Sequence, residues 1–182
     1  PDPDTANEHA RSALHGGAGA LKLSYHSSSQ ASSLRPTDPE DVATLLDGID
    51  LRTTEFHFDE GLGALALYTA LRESLSEPGI DPQELRGSVC FDPVAAVAAV
   101  QVGDIDRAVS LAHHLVRESE ALPQFRGTSV DARVYHDAGA SAVQEVAFTI
   151  GAFAERLAQG TEHDLSLSTV LDNLQIVVPV ST

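Results

Sequence analysis

Cysteine occurs once in the 182 residues, at Cys90, so an internal disulfide is impossible and a cysteine-based zinc site is excluded. Cys90 lies in the apolar run GSVCF, where a buried, inert thiol is expected. Lysine is equally scarce, with Lys22 its single instance. Only 11 Lys and Arg face 27 Asp and Glu, for a formal charge of -16. A surface of that sign repels phosphate backbones, so composition argues against nucleic acid as a partner. Aromatics make up 5% of the chain, too few for a base-stacking platform or an aromatic-rich β-sandwich. No run of roughly eighteen apolar residues exists, and PDPDTANEHARSAL lacks the basic and apolar regions of a signal peptide. No membrane partner and a cytoplasmic location are the expectations. The carboxylates are dispersed along the chain instead of gathered in a tail, and with so little lysine this points to adaptation to high salt.

What is present is a 42% hydrophobic content suited to one globular domain over residues 1–182. A helix-like stretch at 4–15 ends at Gly16, Gly17 and Gly19, and ALKLSYH follows as the first strand. SSSQASS reads as a polar loop at 27–33, an active-site loop or a solvated connector. Thr37 and Glu40 form a capping box for a helix through Leu46, and TTEFHFD is the second strand. A helix from about Leu62 to Leu75 closes at the EPG turn. Asp81-Pro82 and Asp92-Pro93 are cap-and-proline helix starts on either side of a third strand, RGSVCFD. GDIDRAVSLAHHLVRESE is a further helix, SLSTVLDNL another, and QIVVPVST the last strand.

The best-specified stretch is 128–160. Val130, Ala132 and Val134 alternate with polar residues as in a strand, YHDAGA reads as a polar turn, and a long amphipathic helix follows. Ser141 and Gln144 fit a capping box, and Asp137 is placed to meet the positive helix end. Val143, Val146, Ala147, Ile150, Phe153, Ala154 and Leu157 share one helical stripe. Burying its large members is expected to contribute about 7–15 kcal/mol gross.

Strands that alternate with helices in this way predict an α/β fold built of parallel (β/α) units. No GxGxxG or GxxxxGK[ST] follows a strand, which removes support from nucleotide-binding open sheets. Glu55, His57 and Asp59 alternate with Thr54, Phe56 and Phe58, whereas a parallel strand covered on both faces is nearly all apolar. A barrel with a polar lining accounts for that alternation. The expectation is therefore part of a TIM-type (β/α)8 barrel, since a complete one takes about 250 residues. Its last strand would leave an open edge that calls for pairing.

Two constellations carry candidate chemistry. Glu55, His57, Asp59 and Glu60 offer carboxylates and an imidazole on one side of a strand, a metal or acid-base set, or else a polar strand face. Tyr135, His136 and Asp137 follow a strand, where barrel enzymes carry catalytic groups, although capping by Asp137 and hydrogen bonding by His136 also account for them. His113 and His114 are adjacent on a helix and point apart, a poor chelating pair.

YHDAGASAVQEVAFTIGAFAERL resembles a segment of the methylmalonyl-CoA mutase family, and RGSVCFDPVAAVA looks like the strand and Asp-Pro helix start of the same family. LLDGIDLRTTEFHF is similar to the preceding unit, and the likeness is greatest to the small subunit. The resemblance covers essentially this whole chain and the middle of the family's N-terminal barrel. It implies a barrel that binds acyl-CoA along its axis, and a separate flavodoxin-like domain that binds adenosylcobalamin. The implied reaction is the radical rearrangement of (R)-methylmalonyl-CoA to succinyl-CoA.

No cobalamin-binding domain is expected within these residues: EFHFDEG departs from the cobalt-ligating DxHxxG motif at Glu55 and in the spacing to Gly61. Catalytic chains of the family carry a histidine three residues before the acidic residue of an EAGA-like sequence. Aligned on Asp137 to Ala140, that position is Val134, which cannot donate a proton. His136 takes the role only if the loop is two residues shorter. The resemblance thus implies a non-catalytic small subunit paired with a large, cobalamin-bearing chain, with acyl-CoA as an alternative ligand of this chain through His136. An unrelated metal-dependent enzyme using His57 and Asp59 is the remaining reading.

Overall fold

The computed structural model describes residues 2–24, 38–75, 81–100 and 104–180. Its contacts group into two units, Pro1–Val89 with Ala121–Phe125, and Cys90–Glu120 with Arg126–Thr182. The SSSQASS loop, Thr37, the EPG turn and Gly103 lie outside the described residues.

In the first unit, α1 (Pro3–His15) starts with Asp2 accepting the Thr5 N–H at 2.9 Å. It ends where Gly17 takes a φ of 100° and the Ala18 N–H reaches the Ala13 carbonyl. That turn is open to glycine at no steric cost. β1 (Ala20–Ser24), α2 (Pro39–Leu46) and β2 (Glu55–Asp59) follow. Asp38, one residue beyond the expected Thr37, caps α2 through the Glu40 N–H. A single 3-10 turn, Gly61–Gly63, leads into α3 (Ala64–Ser74), and a second, Pro82–Glu84 capped by Asp81, leads into β3 (Arg86–Ser88).

β1, β2 and β3 are parallel neighbours, in register Lys22 to His57 and His57 to Ser88. Phe56 and Phe58 point to the helix side and are fully buried with Leu67, Tyr68 and Leu71. Each contributes about 1.5–3 kcal/mol gross on burial. Gly87 is fixed by close approach: at φ 134° a Cβ there would stand 1.7 Å from the Phe56 carbonyl oxygen.

The second unit opens at Cys90. α4 (Pro93–Val100) and α5 (Ile105–Ser119) lead to a two-residue strand the sequence did not signal, β4 (Phe125–Arg126), which adds to the sheet beside β3. β5 (Thr128–Asp131) comes next, its Ser129 N–H donating to the Phe91 carbonyl at 2.8 Å. It pairs in parallel with the last strand, β6 (Leu174–Val177). Between them run α6 (Arg133–Asp137), α7 (Ala142–Glu162) and α8 (Leu167–Asn173). Parallel strands joined through helices, in sequence order along each sheet, make this an α/β fold consistent with part of a (β/α)8 barrel.

Two expectations about 128–160 are overturned. The strand stops at Asp131 and does not reach Val134, because the Asp131 carboxylate takes the Arg133 N–H at 3.0 Å and turns the chain into α6. Asp137 therefore ends a short helix and is exposed, whereas the expected capping box opens α7 at Ser141, with Gln144 reaching back to the Ser141 N–H at 2.9 Å. The apolar stripe of α7 is also not core. Val143 is 80% and Ile150 64% exposed, and only Phe153 and Leu157 of the stripe are partly buried. The inward side is set by close packing at Gly160, where a Cβ would stand 2.5 Å from the Val170 Cγ2. Thr149 and Arg156 turn inward with it.

Candidate functional site

The first candidate is the polar face of the first unit. Period-two alternation sends Glu55, His57 and Asp59 to the side opposite Phe56 and Phe58. Lys22 Nζ meets Asp59 Oδ2 at 2.9 Å. His57 Nδ1 hydrogen-bonds Ser88 Oγ at 2.9 Å, and its Nε2 stands 3.6 Å from Glu55 Oε2. The strand register lines these groups up across β1, β2 and β3 as a row of hydrogen-bonding side chains. It does not favour the metal reading. The Lys22 ammonium occupies Asp59, and among the described residues no group of three or more His, Cys, Asp or Glu is placed to hold a metal ion.

Sequence reasoning singled out the β2 members but missed Lys22 and Ser88. The signal for Lys22 was there, a polar residue between Leu21 and Leu23 with the same period of two. A hollow of about 680 Å³ lies among Leu46, Asp50, Arg52, Ser74 and Glu84, at the N-terminal ends of β2 and β3. Barrel enzymes carry their chemistry at the other ends.

The second candidate lies within the second unit, at the C-terminal end of β5. Asp92 is buried; its Oδ1 accepts the Val94 N–H at 2.7 Å, capping α4, and its Oδ2 accepts the Asp131 N–H at 2.7 Å. Burial raises its pKa above the usual carboxylate range, opposed by those N–H donors and by the charge of Arg156. Arg156 is buried too, with Nη1 on Gln159 Oε1 at 2.7 Å and no partner on Nε among the described residues. Burial lowers its pKa while the Asp92 charge opposes the drop. Tyr135 is half-buried against Phe148, ring centroids 5.4 Å apart, and burial followed by the Asp92 charge raises its phenol pKa.

The expected trio therefore does not converge. Tyr135 faces the Asp92 and Arg156 charges, His136 Nδ1 hydrogen-bonds Glu145 Oε1 at 2.8 Å on the exposed side, and Asp137 joins neither. Val134 lies on α6, off the strand end. Cys90 is buried and accepts from Gln175 Nε2 at 3.1 Å, at a φ of 35°. His113 and His114 diverge as expected: His114 is exposed, while His113 is buried beside His163.

Parallel strands joined through helices, with a polar row on the face away from the helices, define the class, an α/β protein consistent with part of a (β/α)8 barrel. The methylmalonyl-CoA mutase family model matches residues 37–181, and the chain belongs to that family. It is similar to three proteins named methylmalonyl-CoA mutase small subunit. That of Porphyromonas gingivalis is 30% identical over 122 residues, 66% of this chain and 20% of the relative. That of Streptomyces virginiae is 29% identical over 157 residues, 86% and 24%. That of Propionibacterium freudenreichii subsp. shermanii is 28% identical over 144 residues, 77% and 22%. The chain thus spans about a fifth to a quarter of the length of these curated relatives. No helix among the described residues is long and apolar enough to cross a membrane.

Proposed function

We propose that this chain is a barrel portion of a methylmalonyl-CoA mutase small subunit, a structural partner of a large, catalytic chain in the cytoplasm. The large chain interconverts (R)-methylmalonyl-CoA and succinyl-CoA. The observation that carries the reading is the likeness to three small subunits, over up to 86% of the chain. The α6 geometry supports its non-catalytic part: Val134 cannot exchange a proton, and His136 is held by Glu145 on the exposed side.

Adenosylcobalamin supplies the radical in this reaction, and the residues here do not fit a loop that ligates cobalt. His57 sits inside β2 between two buried phenylalanines, with Ser88 on one ring nitrogen and Glu55 near the other. The cofactor is therefore assigned to the large chain, and no step is routed through this one. The dispersed carboxylates support a high-salt habitat for the complex.

Calorimetric titration of methylmalonyl-CoA into the isolated chain tests the division of labour. No submillimolar binding is expected. Submillimolar binding that His136→Ala abolishes would overturn the non-catalytic reading and give this chain an active role through His136.

A further inference from the structure

Within the second unit, α5 meets the turn after α7 through two histidine rings. His113 of α5 is 6% exposed and packs on His163, the residue that closes α7, with 4.4 Å between ring centroids. Both nitrogens of His113 are buried without a hydrogen-bond partner among the described residues. One turn further along α5, Arg117 donates from Nη2 to the His163 carbonyl at 2.6 Å. The ring contact and this bond tie the turn to α5.

Beyond His163 the backbone is held by few groups. Asp164 takes a φ of 62°, the left-handed region that a residue other than glycine enters at a cost. Leu165 then turns inward to join Val116 of α5 and Val170 of α8 in a small apolar cluster, and its N–H donates to the Gly160 carbonyl at 3.1 Å. A segment fixed by so few buried side chains opens at a lower free energy than paired strands do.

The charges that face His113 decide when it opens. Arg117 comes from its own helix and Arg156 and His163 from α7, and all three act on it as positive charges. Among the other elements packed on α5, α4 has no charged residue, the Asp131 carboxylate of β5 is engaged by Arg133, and Asp172 of α8 is exposed. A proton added to the buried ring therefore meets cations and no carboxylate, and it is accommodated by moving the ring to water.

We propose that the His113–His163 contact is an acid-sensitive latch: protonation of His113 releases the turn at 163–166 and the start of α8 from α5, while β5 and β6 stay paired. The release is local and precedes unfolding of the chain.

Amide hydrogen exchange at pH 7 and pH 5, read by NMR and corrected for the intrinsic pH dependence of exchange, tests the latch. The open segment takes up its proton near 6.5 and the closed one only at about 4, so protection of the Leu165 N–H is expected to fall roughly twentyfold. The Ser129 N–H, bonded to the Phe91 carbonyl, is expected to keep its protection. In His113→Leu the Leu165 protection is expected to be equal at the two pH values. Should His113→Leu not fold, the His113 ring signal of the wild type is titrated instead, and it is expected to move only below about pH 5.

Equal losses at Leu165 and Ser129 make the event global and overturn the latch. A loss at Leu165 that persists in His113→Leu assigns it to another group and overturns it as well. Unchanged protection of Leu165 in the wild type, or a His113 ring that titrates near 6.5 in the folded chain, has the same consequence.

Discussion

The ring of His113 lies against the ring of His163, 4.4 Å between centroids, and neither nitrogen of His113 has a hydrogen-bond partner among the described residues. His113 is buried on α5, and Arg117 of the same helix donates from Nη2 to the His163 carbonyl at 2.6 Å. Burial, and then the positive charges of His163, Arg156 and Arg117, pull its pKa down to about 4. The folded state therefore requires a neutral ring.

That requirement makes stability depend on pH in a stated direction. An unfolded histidine titrates near 6.5, so between about 6.5 and about 4 the unfolded chain binds the extra proton. The His113 contribution is complete above pH 6.5 and is lost as the pH falls toward 4, by at most about 3 kcal/mol at 1.36 kcal/mol per pKa unit. His113→Leu, which fills the site without a titratable group, is expected to flatten this part of the profile. Urea unfolding of both proteins at pH 7 and pH 4.5 reads the difference, and parallel losses in the two would rule the explanation out.

Asp92 ties two parts of the second unit together, since one carboxylate oxygen caps α4 and the other holds the Asp131 N–H of β5. Removing it deletes a cap worth about 1 kcal/mol and leaves a buried N–H unsatisfied at about 1–3 kcal/mol. Asp92→Ala is expected to lose about 2–4 kcal/mol by chemical denaturation. Asp92→Asn, which keeps one carbonyl oxygen, is expected to lose less. A loss below about 1 kcal/mol in Asp92→Ala would show that the bridge does not matter.

Most of this fold was legible in the sequence, for reasons that differ by element. The Asp-Pro starts at Asp81 and Asp92 combine a side-chain acceptor with a preset φ, and each opens a helical segment in the structure, whereas at α2 the cap is Asp38 and not the expected Thr37. The alternation through Phe56 and Phe58 correctly separated a buried side from a polar one. Local rules could not show that Arg133 would fold back on Asp131, because continuation of the strand and a turn into helix are both compatible with VDARVYH; the contacts of the Asp131 carboxylate with the Arg133 N–H and guanidinium decide it. Nor does periodicity say which side of an amphipathic helix faces the core. α7 has its expected stripe and its expected start, yet packing at Gly160 and Val170 turns another side inward. The polar row was half visible because Glu55, His57 and Asp59 sit on one strand, while Lys22 and Ser88 join them only through register.

Gly87 offers a test of that register. With a φ of 134° and the Phe56 carbonyl 1.7 Å from where a Cβ would stand, no rotamer relieves an alanine, and the contact is with backbone. Gly87→Ala is expected to part β3 from β2 and to cost more than about 4 kcal/mol, beyond the range of ordinary substitutions. Loss of the cooperative melting transition in circular dichroism is the expected readout. A variant that melts within a few degrees of wild type would mean that β2 and β3 are not held at this distance.

The net charge of -16 bears on the whole chain. Its 27 carboxylates are spread along the chain, and ion pairs such as Lys22 with Asp59 and Arg133 with Asp131 are local. Repulsion between exposed carboxylates reaches about 10 Å at 0.1 M salt and about 3 Å at 1 M. Salt screens this repulsion over the long distances between dispersed charges more than it screens the short ion pairs, so the net effect of added salt is stabilising. The melting temperature is therefore expected to rise steadily from about 0.05 M to about 2 M KCl, with most of the gain below 1 M, where the screening length changes fastest. Sodium sulfate strengthens apolar burial in any protein, so the chloride series is the discriminating one. A melting temperature that is flat in KCl would remove the high-salt interpretation.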